Sequence, residues 1–183
     1  MQRFARLLSA ILLFMFGAAC TGQQPQTTTT KGPAASAPQV YGTLGQVMRG
    51  ILFPNSNVIF AVQGKDPSEI KPATDPATST DPLSSTYGGW TAVENSGVAL
   101  AEAANLLIIP GRLCSNGKPV PMQNPDWPGL VQGLRDAGMA AAKAAQAKNQ
   151  DAILDAADKM TTACANCHDK YRDKPGGDAA RCM

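Results

Sequence analysis

The sequence predicts an all-α protein, an antiparallel up-down-up-down bundle of four helices. Four stretches repeat apolar residues at helical spacing, and no segment shows sustained alternation of apolar and polar residues. Each stretch is roughly 20 residues long, which corresponds to a helix of about 30 Å. Helices of this length bury their apolar faces economically when four of them pack together.

The composition supports a packed domain. The chain has 183 residues, of which 44% are apolar and 16% charged, so general disorder is not expected. Arg3 and Arg6 lie in a segment that we expect to be removed, and without these two the 16 basic residues become 14, against 14 acidic ones. A neutral balance argues against a nucleic-acid partner, because proteins that bind nucleic acids present a basic face to phosphates.

Residues 1–19 have the pattern of an export signal. Arg3 and Arg6 precede an apolar run, Leu7 to Phe16, and small residues follow it. The apolar stretch is too short to span a bilayer comfortably. We therefore expect the chain to leave the cytoplasm.

Cys20 resembles the processed cysteine of a bacterial lipoprotein. This resemblance implies a periplasmic protein whose only membrane contact is a lipid on Cys20. The alternative is ordinary cleavage near Cys20, which leaves a free or paired thiol. Residues 20–39 are polar and proline-spaced, as expected of a flexible tether between such an anchor and a domain.

The helices are predicted within a domain at residues 40–174, and a tail follows at 175–183. Pro54 should kink the first helix or force a restart, because its ring meets the carbonyl of Gly50. Asp126 is the expected N-cap of the third helix, with Pro128 in its first turn. In order, the stretches run from about Val40 to Gln63, from Tyr87 to Ile109, from Asp126 to Ala147 and from Asn149 to Arg172.

The chemistry is expected at Cys164-Ala165-Asn166-Cys167-His168. C-x-x-C-H is the attachment signature of a c-type haem, the covalent iron porphyrin haem c. Two thiols three residues apart lie on one side of a helix, where both can add to the vinyl groups of one porphyrin, and the imidazole can reach its iron. His168 is the single histidine of the chain.

Zinc and a redox dithiol are the alternatives at this motif. A zinc site would need Cys114 or Cys182 to complete it, because the chain has no second histidine. A thioredoxin-like dithiol normally opens a helix after a strand, and no strand is predicted. The export signal and the helical setting favour haem.

The segment Cys164–Arg172, reading CANCHDKYR, resembles the C-x-x-C-H-x-x-Tyr-Arg end of cytochrome c′ and related class II c-type cytochromes. The segment Gly45–Arg49 is similar to the family segment that places a side chain over the distal haem face. The resemblance implies one covalent haem near one end of a four-helix bundle, and a homodimer through the first helix. Pro54 interrupts that helix here, and the loops at 64–86 and 110–125 are long.

The topology predicts which residues surround the motif. In an up-down-up-down bundle the start of the first helix and the end of the fourth lie at the same end, so Met48 and His168 should meet there. The surrounding apolar residues are expected to be Leu106, Leu107, Ile108, Ile109, Trp127 and Leu130.

Met48 is the candidate sixth iron ligand. A thioether opposite His168 raises the potential of the iron; the alternative is an ordinary core methionine.

Arg172 is the candidate partner of a haem propionate or of the imidazole edge; the alternative is a solvated cation at a helix end. The two remaining cysteines, Cys114 and Cys182, are expected to form a disulfide.

Together these features predict a monohaem c-type cytochrome that passes single electrons to redox partner proteins of the periplasm or membrane. No nucleophile, proton-handling dyad or metal triad is visible, so no enzymatic activity is predicted. The alternative function is a five-coordinate haem protein that binds nitric oxide or carbon monoxide. A third interpretation is a zinc or dithiol protein without haem.

Overall fold

The computed structural model describes residues 37–84 and 87–182, and these residues are all-α, as predicted. From Ala37 onward the chain forms one compact unit. The described residues contain no strand and one isolated bridge, between Leu113 and Pro119. None of the helices described there is long and apolar enough to cross a membrane. The predicted export signal, Cys20 and most of the tether lie outside the described residues.

Four helical rods make up most of this unit, and each lies within one of the predicted stretches. A short 3₁₀ turn, Pro67–Glu69, lies in the loop after the first rod. We number the rods as α1, with consecutive segments Leu44–Val47, Met48–Leu52 and Phe53–Ala61; α2, Gly89–Ala103, with a 3₁₀ continuation Ala104–Ile108; α3, Trp127–Gln146; and α4, Gln150–Tyr171.

A capping box sets the start of α1. The Thr43 hydroxyl accepts a hydrogen bond from the Gln46 amide at 3.2 Å, and the Gln46 side chain accepts one from the Thr43 amide at 2.8 Å. These bonds satisfy amides that have no partner within the helix. The helix therefore begins at Leu44, later than the apolar pattern from Val40 predicts.

The interruption predicted at Pro54 takes the form of a π turn, Met48–Leu52, just before the proline. The Phe53 amide donates to the carbonyl of Met48, five residues earlier. Pro54 has no N–H for the carbonyl of Gly50, and a wider turn accommodates the missing bond. The Asn55 side chain donates to the Ile51 carbonyl at 2.7 Å and satisfies a second carbonyl of this turn.

Asp126 occupies the N-cap position predicted for it, but its side chain makes no capping hydrogen bond. Pro128 lies in the first turn of α3, as expected. The Asp126 carboxylate accepts instead from the Tyr171 hydroxyl at 2.8 Å and pairs with Lys170 at 2.9 Å. The carboxylate therefore binds two side chains at the end of α4 in place of the first amides of α3.

Small residues bring α2 and α3 close together. A Cβ added at Gly97 would lie 2.7 Å from the Gly138 carbonyl oxygen, and one added at Gly138 would lie 2.7 Å from the Gly97 oxygen. Several alanines beyond Gly138 are buried as well, namely Ala141, Ala142, Ala144 and Ala145. α2 also packs against α1, and α4 packs against both α3 and α1.

The disulfide predicted between Cys114 and Cys182 is present, with the two Cα atoms 5.0 Å apart. It joins the loop after α2 to the C-terminal tail, 68 residues later in the chain. The Cys182 amide also donates to the Tyr171 carbonyl at 2.8 Å. The tail is thereby held against the end of α4.

Arg112 is a buried cation that connects the same loop to the start of α1. Its side chain is 4% exposed. Its Nε donates to the Leu106 carbonyl at 2.9 Å and its Nη1 donates to the Gly42 carbonyl at 2.7 Å. Next to it, the Leu44 amide donates to the Leu113 carbonyl at 2.8 Å. These bonds fix the position of the start of α1 relative to the end of α2.

Candidate cofactor site

A cavity of about 370 Å³ lies between the four helices at the end where the disulfide lies. This volume falls within the range of about 300–1,000 Å³ that is typical of small-molecule and cofactor sites. Its walls are mostly apolar. They are formed by Gly45, Met48, Arg49, Leu52, Phe53 and Ser56 of α1, Leu100 and Leu107 of α2, Trp127, Leu130, Val131 and Leu134 of α3, Ala163, Cys164, Cys167 and His168 of α4, and by Arg172 and Cys182.

α4 presents its C-x-x-C-H motif to this cavity. Cys164, Cys167 and His168 all line it, and each is half-buried. Positions i, i+3 and i+4 share one face of a helix, which explains why all three side chains reach the same space. Both thiols are free. A single porphyrin in the cavity would meet both sulfurs and the imidazole from the same side.

Burial keeps all three groups uncharged. It raises the pKa of the Cys164 thiol, and it raises that of Cys167 to about 11, with smaller contributions from Cys164 and the Asp126 carboxylate. Burial also lowers the pKa of His168, and the Arg172 cation lowers it further. Near neutral pH the imidazole is therefore neutral, the form that can bind a metal ion.

Met48 reaches the cavity from α1, as predicted from the topology. Its side chain is half-buried and belongs to the π turn that precedes Pro54. The structure thus brings the thioether of Met48 and the imidazole of His168 to one cavity. Because they come from different helices, a ligand between them would connect the first rod to the last.

Two arginines line the cavity on its exposed side. Arg172 follows the last residue of α4, and its guanidinium donates two hydrogen bonds to Asp173, at 2.8 and 2.6 Å. Arg49 was not predicted here, and it lies next to Met48 on α1. Both side chains are exposed, so either guanidinium can meet a carboxylate of a bound ligand without being buried.

Only part of the predicted apolar wall is correct. Leu107, Trp127 and Leu130 line the cavity, whereas Leu106, Ile108 and Ile109 do not, and Ile108 is 47% exposed. The reason is the 3₁₀ continuation of α2, in which side chains three residues apart share a face. Ala104 and Leu107 share the buried face of this segment. The Trp127 indole N–H donates to the Leu107 carbonyl at 3.2 Å and fixes this wall.

Several wall residues were missed by sequence reasoning. Leu52 and Ser56 lie one α-helical step of four apart on α1, so placing one of them could have identified the other. Cys182 lies far from the motif in sequence, and no spacing rule places it on the cavity wall. Its position depends on the disulfide and on the bond from its amide to Tyr171.

The zinc interpretation of the motif requires a further cysteine as a ligand. Cys114 and Cys182, which a zinc site would need, are both in the disulfide. Within residues 37–84 and 87–182, no three His, Cys, Asp or Glu side chains are grouped so that they could hold a metal ion.

Comparisons with protein-family models, with curated proteins and with solved structures find no match to this chain. The function is therefore inferred from the residues of the cavity themselves.

Proposed function

We propose that the chain is an exported monohaem c-type cytochrome that transfers single electrons. One observation carries the proposal: both thiols and the imidazole of the C-x-x-C-H motif line one apolar cavity, which Met48 also lines from another helix. Haem c supplies a one-electron iron couple when it is bound. The chain has to attach it, ligate it and keep water away from it.

The residues present fit haem c. Cys164 and Cys167 would hold it through two thioether bonds, and the neutral imidazole of His168 would bind the iron. Leu100, Trp127 and the other apolar walls would exclude water, which raises the cost of charge at the site. Arg49 and Arg172 are available to the propionates on the exposed side.

The same reasoning favours an antiparallel four-helix bundle of the cytochrome c′ kind. The start of α1, the end of α2, the start of α3 and the end of α4 all contribute to the one cavity, which is the arrangement expected of up-down-up-down order. The contacts of α2 with α1 and α3, and of α4 with α3 and α1, agree with it.

The Cys114–Cys182 disulfide supports export, because disulfides persist in oxidising compartments such as the periplasm. We place the protein there, with lipid on Cys20 as its membrane anchor and with redox proteins of the periplasm or membrane as partners. The role that we propose is that of a single-electron carrier, with no enzymatic activity.

The proposal is tested by producing the chain in a bacterial periplasm together with haem-attachment machinery. We expect a red protein whose haem stays with the polypeptide after acid–acetone extraction and whose intact mass is increased by one haem. The Cys164→Ala/Cys167→Ala variant should be colourless and of unmodified mass. Colourless wild-type protein would overturn the proposal.

Met48→Leu tests the sixth ligand. With Met48 bound to iron, the ferric protein is low-spin and shows a methionine–iron charge-transfer band, and the leucine variant should lose that band and become high-spin. Met122→Leu is the matched control, because Met122 is also half-buried but does not line the cavity. A wild-type spectrum that is high-spin and shifts on addition of nitric oxide or carbon monoxide would favour the gas-binding alternative.

A further inference from the structure

We propose that Pro54 is a positioning residue for the sixth ligand: the π turn beside it sets the rotation of Met48 about the axis of α1. This inference rests on the proposed function and adds to it the feature of the chain that directs Met48 into the cavity. Pro54 itself is exposed and does not line the cavity, so it acts through the helix backbone.

The bonding around Pro54 explains the turn. A proline removes the amide that would bond to the carbonyl four residues earlier, and its ring crowds that carbonyl. Here the Phe53 amide bonds to Met48, five residues back, and the Asn55 side chain bonds to the Ile51 carbonyl at 2.7 Å. The Ser56 hydroxyl donates to the Phe53 carbonyl at 3.0 Å. These bonds stabilise a turn one residue wider than an α-helical turn.

The wider turn changes which residue faces the cavity. It accommodates one residue more than an α-helical turn, and one residue corresponds to about 100° around the axis. Suppose that α1 were an uninterrupted α-helix and that its second half kept its present place. Arg49 would then occupy the position around the helix axis that Met48 occupies now. A thioether that can bind iron would be replaced there by a guanidinium that cannot.

Each half of α1 has contacts of its own, and the turn between the halves sets how they are rotated relative to each other. The first half is held by the capping box of Thr43 and Gln46 and by the bond from the Leu44 amide to the Leu113 carbonyl. The second half is held by Ile59 and Val62, which are 0% and 1% exposed. The π turn lies between these anchors and connects two halves whose rotations differ from those of one regular helix.

The test compares holoproteins of wild type, Pro54→Ala and Pro76→Ala. Pro76 is an exposed loop proline away from the cavity and serves as the control. We expect Pro54→Ala to carry a full complement of covalent haem, to lose the methionine–iron charge-transfer band and to shift to high spin in the ferric state. Pro76→Ala should keep the wild-type spectrum.

Asn55→Ala is a second variant for the case in which Pro54→Ala does not fold. It removes the bond to the Ile51 carbonyl but leaves the proline, and we expect a mixture of high-spin and low-spin protein. Far-UV circular dichroism should show native helix content in both variants.

The failure of this inference differs from that of the proposed function. Wild type with covalent haem and a Met48-dependent band, together with a folded Pro54→Ala variant that keeps the full band, would overturn the role of Pro54 alone. Where Pro54→Ala does not fold, a folded Asn55→Ala variant that keeps the full band would overturn it. A wild-type holoprotein without that band would overturn it as well, since Met48 would then be no ligand. Wild type without covalent haem would overturn the proposed function first.

Discussion

At the scale of single residues, Tyr171 closes the end of the molecule that contains the cavity. Its ring is 6% exposed and packs edge-on against Trp127, with ring centroids 5.1 Å apart. Its hydroxyl donates to Asp126 and accepts from the Asn124 side chain at 3.1 Å. Since Trp127 is a cavity wall, this network connects the start of α3 to the end of α4 beside the motif.

Asp126 should make stability depend on pH. The hydrogen bond from Lys170, and then that from Tyr171, lower the pKa of this carboxyl below its ordinary value of 3.8. A carboxyl with a lowered folded-state pKa stabilises the protein above its ordinary pKa, and this contribution is lost as the pH falls through the folded-state value. Asp126→Asn should therefore unfold at a lower temperature than wild type at pH 7, and the difference should vanish in acid.

The measurement is thermal unfolding across this pH range. Asp158→Asn is the control, because Asp158 is an exposed carboxylate on α4 that makes no ion pair within the described residues. A constant difference between Asp126→Asn and wild type at all pH values would contradict the role of the charge.

At the scale of elements, the crossing of α2 and α3 depends on two glycines. A Cβ atom built on either glycine would lie less than 3 Å from the carbonyl oxygen of the other. Helices that approach this closely gain dispersion contacts between main chains, but they have no room for a larger residue.

Gly138→Ala should destabilise the protein by about 1–3 kcal/mol, because overpacking forces the helices apart. Gly133→Ala is the control on the same helix, since a Cβ there would meet nothing within 4 Å. That substitution should stabilise by about 0.5–1 kcal/mol through helix propensity alone. Urea unfolding measures both, and equal signs for the two variants would show that the crossing tolerates a methyl group.

The elements were predicted more accurately than their ends and their irregular turns. Apolar spacing identified all four rods, because each has one face against the core. The start of α1 was predicted too early, since a capping box, and not hydrophobicity, determines where the amides need partners. The π turn before Pro54 was not predicted, because the proline signals a lost bond without indicating how the helix accommodates the loss.

At the scale of the whole molecule, the disulfide closes the end that contains the cavity. It connects two segments 68 residues apart in sequence, and Cys182 itself lines the cavity. The chain between the two cysteines contains all of α3 and α4. The cross-link therefore limits the freedom of half of the helical domain in the unfolded state.

Cys114→Ala/Cys182→Ala should lower the free energy of unfolding by about 4 kcal/mol, the value that the chain-entropy model gives for a closed loop of this size. Replacing both cysteines avoids a free thiol beside Cys164 and Cys167. Urea unfolding of variant and wild type measures the loss, and the wild type in reductant should approach the variant. An unchanged midpoint would mean that the unfolded chain is already compact.

The candidate site was predicted best where it is local. The three motif residues share a wall because their spacing suits one helix, and Met48 joins them because of the chain order of the rods. The exact shape of the cavity could not be predicted in the same way. Leu107 and Cys182 reach it through a 3₁₀ turn and a disulfide, which depend on contacts between distant segments.

The buried Arg112 has a consequence for natural variation. Its acceptors are the main-chain carbonyls of Gly42 and Leu106, and every residue type carries such a carbonyl. Those two positions can therefore change identity without losing either bond. No other side chain offers the same planar fork of donors and a permanent charge, so selection on this junction should fall on the arginine and not on its acceptors.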